Sequence, residues 1–164
     1  MSGTAEPVVD PVHGTRYEFE RRGDDLFVQT WMEPGGALPK HYHPVQEEAW
    51  FAIEGEMEAF VDGTWHTMRP EDGKAVVKPG VVHAIRNTSG EPIHLGCDVS
   101  PALNLEEFLT DSARAAREGL FMKGGIPKSW RGAKWAAGFL VRHEDQTVMT
   151  FPPRFVQKMM RPLA

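Results

Sequence analysis

Short apolar runs separated by turn residues occupy the first two thirds of the chain. The clearest break is Asp62-Gly63, a pair typical of tight hairpins, and it lies between two such runs. The six runs are Leu26–Glu33, Glu48–Ile53, Glu56–Val61, Ala75–Lys78, Val82–Arg86 and Ile93–Val99. Many short strands with regular turns favour a sandwich or barrel over a parallel α/β sheet. The pattern therefore predicts a mainly β domain over residues 16–100.

The pattern changes on both sides of this domain. Residues 1–15 contain Pro and Gly without periodicity, which predicts an irregular N-terminal arm. After Pro101 apolar positions recur at helical spacing, and two further helices are predicted over Trp130–Val141 and after Pro152-Pro153. Residues 101–164 are therefore predicted to be a helical extension. Its apolar faces need cover from the barrel or from a second subunit, and we expect a homodimer.

Composition narrows the classes of function. The chain has 164 residues, 41% of them apolar, which suits one domain around one core. Its net charge of -5 and the lack of a Lys/Arg cluster disfavour nucleic acid and anionic membranes as partners. The lone Cys97 excludes an intrachain disulfide and a multi-cysteine zinc site. We expect no signal peptide and no membrane-spanning segment, and therefore a cytoplasmic protein. Since nucleic acid and membranes are disfavoured, a small-molecule substrate is the expected partner.

Three histidines and one glutamate are the candidate metal ligands. His41 and His43 are two residues apart, so on a strand both imidazoles lie on one face and can bind one ion, with their Cα atoms ~6.6–7 Å apart. Glu48 follows four residues after His43, which leaves room for a turn, and His83 lies in a later β run. This ligand set suits a divalent transition metal (Fe, Mn, Ni, Cu, Co or Zn) and suits calcium poorly.

The glycines and the asparagine around these ligands have a recognisable spacing. In order and interval they resemble the two signature motifs of the cupin superfamily, over about residues 26–99. The first motif comprises Gly35, His41, His43, Glu48 and Gly55, and the second comprises Gly80, His83 and Asn87. The second motif departs from the family pattern at a turn, because Lys78 stands where the family often has proline.

The resemblance implies a jelly-roll fold, the double-stranded β-helix, with the metal inside the wider mouth of a barrel. It also implies that Asn87 is structural, tying a strand to a turn. Glu47 is the alternative ligand to Glu48, because only one of two neighbours on a strand can face inward. The six-residue interval to Gly55 favours Glu48.

Strand alternation predicts the residues that line the pocket. Trp50 and Ala52 share the parity of Glu48, and Ile85 shares that of His83, while Phe60 is a further candidate. Ordinary core packing is the competing interpretation for the aromatic residues. His94 is predicted to project inward as a partner of the ligands or a proton carrier. The apolar candidates favour an apolar or aromatic substrate.

Three kinds of function are compatible with this ligand set. The preferred prediction is a small-molecule dioxygenase or other oxidoreductase that uses a redox-active divalent metal. The first alternative is a metal-dependent isomerase, cyclase or lyase without redox chemistry, and the second is a non-catalytic protein that binds small molecules. The tyrosines that mark sulfonium-lyase cupins near the glutamate are missing, because Ala49 and Trp50 follow Glu48. This disfavours one lyase option.

Overall fold

The computed structural model describes residues 6–163. Residues 1–5 of the predicted arm and residue 164 of the predicted extension lie outside the described residues. Within residues 6–163 the chain forms thirteen β-strands, three α-helices and two short 3-10 helices. No helix in this range is long and apolar enough to cross a membrane.

Ten of the strands precede the first α-helix. They are β1 (Val8–Asp10), β2 (Thr15–Arg22), β3 (Asp25–Met32), β4 (Ala37–Tyr42), β5 (Glu47–Glu54), β6 (Met57–Val61), β7 (Thr64–Met68), β8 (Ala75–Val77), β9 (His83–Arg86) and β10 (Ile93–Ser100). The later elements are α1 (Leu105–Arg117), β11 (Phe121–Met122), β12 (Ile126–Pro127), α2 (Trp130–Arg142), β13 (Val148–Met149) and α3 (Arg154–Met160). The 3-10 helices are Pro70–Asp72 and Arg161–Leu163.

Two antiparallel sheets enclose one core. The larger has six strands in the order β1-β2-β3-β10-β5-β8, and the smaller has five in the order β13-β4-β9-β6-β7. Buried side chains of both sheets, such as Leu95 from the larger and Ile85 from the smaller, belong to one apolar cluster. This architecture confirms the predicted mainly β jelly-roll barrel followed by C-terminal helices.

Side-chain alternation explains why these runs became strands. In β10 every second residue is buried, beginning with Ile93 and ending with Val99, while His94 and Asp98 between them are partly exposed. The same period occurs in β3 and β5. A strand with this period buries one face and leaves the other to solvent, so the inner face of the barrel follows directly from the sequence.

The prediction of an irregular arm is wrong for part of the N-terminal segment. Val8–Asp10 is a short edge strand that pairs with the start of β2, where Val8 lies opposite Tyr17. The Asp10 carboxylate accepts hydrogen bonds from the backbone N–H groups of Val12 and His13 and thereby closes the turn. A three-residue strand is too short to show a period, which is why the pattern did not predict it.

The chain after residue 100 packs on the barrel in two places, at its start and again at β13. Ala102 and Leu105 are buried within the barrel's apolar cluster. Phe139 of α2 packs against Phe108 of α1, with ring centroids 4.7 Å apart. Further on, β13 pairs with β4, so this late segment becomes the edge strand of the five-stranded sheet.

Candidate metal centre

The four predicted ligands meet inside the barrel. His41 of β4 and His83 of β9 lie directly opposite each other in the five-stranded sheet. Glu48 comes from β5 of the six-stranded sheet, and His43 lies in the loop from β4 to β5. One potential ligand atom from each residue lies within 4.8 Å of the others. His41 is half-buried and the other three are buried.

A bulge in β4 turns His41 toward this cluster. Leu38 lies opposite Ile85 and His41 opposite His83, so three steps along β4 correspond to two along β9. The extra residue keeps Leu38 and His41 on the same inner face, which regular alternation would not allow. Pro39 lies in the bulged stretch, where a residue without an N–H costs no ladder hydrogen bond.

The second motif holds the loop that carries His43. Gly80 has a φ of 81°, a backbone conformation that L side chains rarely adopt. In that conformation its N–H donates to the His43 carbonyl at 2.8 Å. Asn87 is buried, and its amide donates to the carbonyls of Met32 and Glu91, as its predicted structural role requires.

All three histidines have their rings oriented by the backbone. Each Nδ1 donates to a carbonyl oxygen, which can only accept, and a neutral ring then keeps its Nε2 lone pair free for the cluster. The three bonds are His41 to Pro39 at 2.8 Å, His43 to Gln146 at 2.7 Å and His83 to Val81 at 3.0 Å. This is the tautomer that leaves Nε2 free to bind a metal.

Glu48 provides the anionic group of the cluster. Its Oε2 lies 2.9 Å from His83 Nε2, and its Oε1 lies 3.1 Å from His43 Nε2. The Nε2 atom of His43 is nevertheless buried without a hydrogen bond. A buried polar atom left without a partner costs ~1–3 kcal/mol, which a cation between the imidazoles and the carboxylate would remove. The donor set therefore fits a divalent transition metal.

Electrostatics hold Glu48 and His41 in the charge states that favour a cation. Burial, together with the neighbouring His83 and His43, lowers the pKa of His41 to about 3. Burial alone would raise the pKa of Glu48, but the adjacent His43 and His83 outweigh burial and hold this pKa well below its usual value. Burial likewise opposes protonation of His43, yet the charge of Glu48 raises the pKa of His43. The site thus combines a carboxylate with a neutral His41.

Three of the four pocket candidates lie on the inner face. Trp50, Ala52 and Ile85 are buried there, beside the cluster in sequence and in register. Trp50 also does something that alternation did not predict, because its indole N–H donates to Glu48 Oε2 at 2.6 Å. Its ring belongs to the core, and its polar atom holds the carboxylate.

Phe60 does not line the pocket. It lies opposite Ala84, whereas its neighbour Ala59 lies opposite Ile85, so Phe60 is on the other face of the sheet from Ile85. There Lys40 Nζ lies 3.8 Å from its ring centroid, and the Trp65 ring packs against it with ring centroids 5.4 Å apart. The assignment of Phe60 to the pocket is therefore corrected.

His94 does not project inward either. It pairs with Trp31 across the strands, and the two rings stack on the outer face with centroids 4.2 Å apart. Its Nε2 lies 3.1 Å from Gln29 Oε1. The buried alternation of β10 places the flanking Ile93 and Leu95 inside, so His94 has no contact with the ligands.

The choice between the two glutamates is settled by strand alternation. Glu48 is 3% exposed in its side chain and contacts two histidines, whereas Glu47 is 42% exposed and pairs with Lys78. Only Glu48 belongs to the cluster.

One residue of the site was not predicted from the sequence. It is Gln146, whose carbonyl orients His43 from 103 positions away and which no motif surrounds.

Together the fold and the cluster define a small jelly-roll protein with a His/Glu site inside the barrel. Residues 29–99 match the family model described as the cupin domain. Residues 29–99 therefore form a cupin domain.

Curated relatives match the same region. The chain is 28% identical over 109 residues to an oxidoreductase of Arthrobotrys oligospora, covering 61% of this chain and 42% of that protein. It is 31% identical over 70 residues to the polyketide synthase CurC of Streptomyces cyaneus, covering 43% of this chain and 45% of that protein. The chain thus spans less than half the length of these two relatives.

Solved structures share the fold. One is an uncharacterised conserved protein of Klebsiella pneumoniae with a double-stranded β-helix domain. It is 28% identical, with a TM-score of 0.50, over 58% of this chain and 85% of that chain.

Proposed function

We propose that the protein is a metal-dependent oxidoreductase of the dioxygenase type that acts on a small apolar or aromatic molecule. The observation that carries this proposal is the convergence of His41, His43, Glu48 and His83 inside the barrel. The relative named as an oxidoreductase supports it, over the 42% of that protein that the chain covers. A bound iron, manganese, nickel or copper ion supplies open positions for dioxygen or a chelating substrate.

The residues of the chain have distinct roles in this proposal. The three imidazoles would hold the metal, and Glu48 would supply the compensating negative charge. Trp50 holds the Glu48 carboxylate through its indole N–H. Ala52 and Ile85 form apolar walls that exclude water and favour the apolar part of a substrate. His41, the half-buried member, marks the side from which a substrate enters.

Metal content and oxygen uptake test the proposal. The untagged protein is purified, its metals are measured, and oxygen consumption is screened with chelating enols, diketones and phenolics. We expect a redox-active metal and oxygen uptake with at least one substrate class. Zinc as the sole metal, with no oxygen uptake in the screen, would contradict the dioxygenase proposal.

A matched pair of variants ties this activity to the site. His43→Ala is expected to abolish both stoichiometric metal and oxygen uptake, because it removes one of the four ligands. The control is His66→Ala, which changes an exposed histidine of β7 in the same way. Equal loss in both variants would mean that the site is wrongly assigned.

A second candidate function is a cyclase or isomerase without redox chemistry. The relative named as a polyketide synthase favours it, since that name points to polyketide substrates. The two functions differ in their need for oxygen. The same diketone and phenolic compounds are incubated without oxygen, and a product isomeric with its substrate, or differing from it by water, would favour the cyclase. A barrel that binds these compounds and converts none of them would instead be a binding protein.

We also propose that the protein is a homodimer formed through its C-terminal extension. Phe151, Phe155 and Met159 are 81%, 66% and 73% exposed, an unusual concentration of apolar surface in nine residues. Light scattering after size-exclusion chromatography is expected to give twice the 18.4 kDa mass of one chain. Mass of a single chain at all concentrations would contradict the dimer.

A further inference from the structure

The C-terminal extension reaches the candidate metal centre at one segment, residues 146–150. The Gln146 carbonyl accepts the hydrogen bond from His43 Nδ1, and Thr147 Oγ1 lies 3.3 Å from the same nitrogen. Two residues later, β13 pairs with β4 so that Met149 lies opposite His41. This segment lies well outside residues 29–99, the part that matches the cupin domain.

The three histidines differ in the origin of the carbonyl that orients them. His41 and His83 each donate to a carbonyl two residues earlier in the chain. His43 donates to Gln146, which is 103 residues away. The orientation of His41 and His83 is therefore local to the barrel, whereas that of His43 depends on how the extension docks.

Both polar atoms of the Gln146 side-chain amide are hydrogen-bonded. Its Oε1 accepts a hydrogen bond from the backbone N–H of Asn104, and its Nε2 donates to His143 Nδ1, each at 3.0 Å. Its own N–H and that of Thr147 donate to the His143 carbonyl. Gln146 is 6% exposed, so these bonds are made out of water, where they matter most. The network fixes the carbonyl that faces His43.

The outer edge of the segment is tied to the strand that carries His41. The N–H and the hydroxyl of Thr150 both bond to the Lys40 carbonyl, at 3.1 and 3.0 Å. Gln157 of α3 closes the segment from the other side, because its Nε2 donates to the Met149 and Pro152 carbonyls. These hydrogen bonds fix residues 146–150 beside the strand that carries His41.

We propose that Gln146 is a positioning residue of the metal centre and that its carbonyl, held by the extension, sets the orientation of His43. This inference rests on the proposed metal site and extends it beyond the cupin domain. Hydrogen-bond partners behind a metal ligand fix its tautomer and its ring orientation, and their loss costs ~10–100-fold in metal affinity. Here the partner is supplied by the helical extension.

The test uses the full-length protein loaded with cobalt(II), whose visible absorption reports the geometry of its ligands. Gln146→Ala frees the carbonyl and is expected to weaken cobalt affinity by ~10–100-fold and to change the visible spectrum. Gln29→Ala is the matched control, since it makes the same substitution on the outer face of β3, where Gln29 contacts His94 and none of the ligands. It is expected to leave both the affinity and the spectrum unchanged.

Two further variants guard against a simple loss of folding. Gln146→Glu keeps the acceptor for Asn104 but puts a carboxylate oxygen, with its charge, in place of the donor to His143, so an intermediate effect is expected. Thr147→Val removes the hydroxyl near His43 Nδ1 at almost constant shape, and a small spectral shift is expected. The metal-free form is examined by NMR of the histidine side chains, in which the protected His43 Nδ1–H signal is expected to disappear in Gln146→Ala.

The outcomes separate this inference from the proposed function. Wild-type protein that binds no cobalt at the cluster would defeat the metal site itself. Wild-type protein that binds cobalt, with an unchanged spectrum and affinity in folded Gln146→Ala and Gln146→Glu, would overturn the positioning role alone. A lowered melting temperature with an unchanged cobalt spectrum would also overturn it, because Gln146 would then be merely structural.

Discussion

The inner and outer faces of the barrel carry the same kinds of residue in different environments. Inside, Trp50 donates to Glu48, which contacts His83. Outside, His94 stacks on Trp31. The inner side chains are buried and bond to one another, whereas the outer ones are partly exposed and keep contact with water.

This contrast shows what burial adds to a residue's chemistry. The adjacent Glu47 and Glu48 differ by one step along β5, and so they face opposite sides of the sheet. Glu47 makes a surface ion pair with Lys78, a contact that is worth ~0–1 kcal/mol. Glu48 is buried, and its carboxylate contacts two imidazoles and an indole. The same carboxyl group is a solvated charge on one face and a candidate ligand on the other.

The two glutamates give the largest expected difference. Glu48→Gln removes the charge at the cluster and is expected to weaken metal binding more than ~100-fold, since even partners behind a ligand cost ~10–100-fold. Glu47→Gln removes only the surface ion pair, and we expect wild-type metal content. Metal analysis after exhaustive dialysis gives both values. Loss of metal in Glu47→Gln with retention in Glu48→Gln would reverse the assignment.

The two tryptophans should differ next most strongly. Trp50→Phe takes a donor from a buried carboxylate and is expected to destabilise the metal-free protein by ~1–3 kcal/mol. Trp31→Phe keeps an aromatic ring on the outer face, and a change within ~1 kcal/mol is expected from its contact with Arg16. Urea unfolding measures both free energies. Equal losses would remove the distinction between the faces.

The pH dependence of the free energy of unfolding should distinguish His41 from a solvated histidine. Its pKa in the folded chain is about 3, below the usual 6.5, so the unfolded chain binds more protons between these values. The free energy of unfolding therefore falls, on account of this group, as the pH drops from 6.5 toward 3. In metal-free His41→Ala we expect a shallower decline over that window than in the wild type. Parallel curves for the two proteins would contradict the buried neutral imidazole.

The smallest effect is expected at His94. Because its ring stacks on the outer face, His94→Ala is expected to leave metal content and oxygen uptake at wild-type levels. His83→Ala, the inner counterpart, is expected to lose both. A fall in oxygen uptake in His94→Ala at unchanged metal content would restore His94 as a proton carrier.

Much of the site could be predicted because its residues lie close together in the sequence. His41, His43 and Glu48 fall within one short motif, and His83 falls in a second. A ligand on a strand also shows which of its residues face inward, because every second side chain lies on the same face. The inward positions of Trp50 and Ala52 therefore followed from Glu48, and that of Ile85 followed from His83. Strand pairing across the barrel preserves that phase.

The two misplaced residues lie on strands without a ligand. In β10 the alternation of Ile93 and Leu95 with His94 already indicated that His94 faces outward. In β6, Glu58 lies on the same face as Phe60 and pairs with Arg86 at the surface, which indicates that this face of the strand points outward. Apolar bulk alone does not set the phase of a strand.

The remaining contacts could not be predicted from local pattern. The bulge before His41 and the carbonyl of Gln146 depend on tertiary packing across long stretches of chain. The strand Val148–Met149 is two residues long, which is too short for any periodicity to show. Such contacts become visible only when the extension is folded onto the barrel.

Anomalous diffraction from crystals of the metal-loaded protein tests the central claim most directly. We expect one strong peak per chain at ~2.0–2.2 Å from the Nε2 atoms of His41, His43 and His83 and from a carboxylate oxygen of Glu48. A peak at any other group of residues, or none at the cluster in protein saturated with metal, would contradict the account.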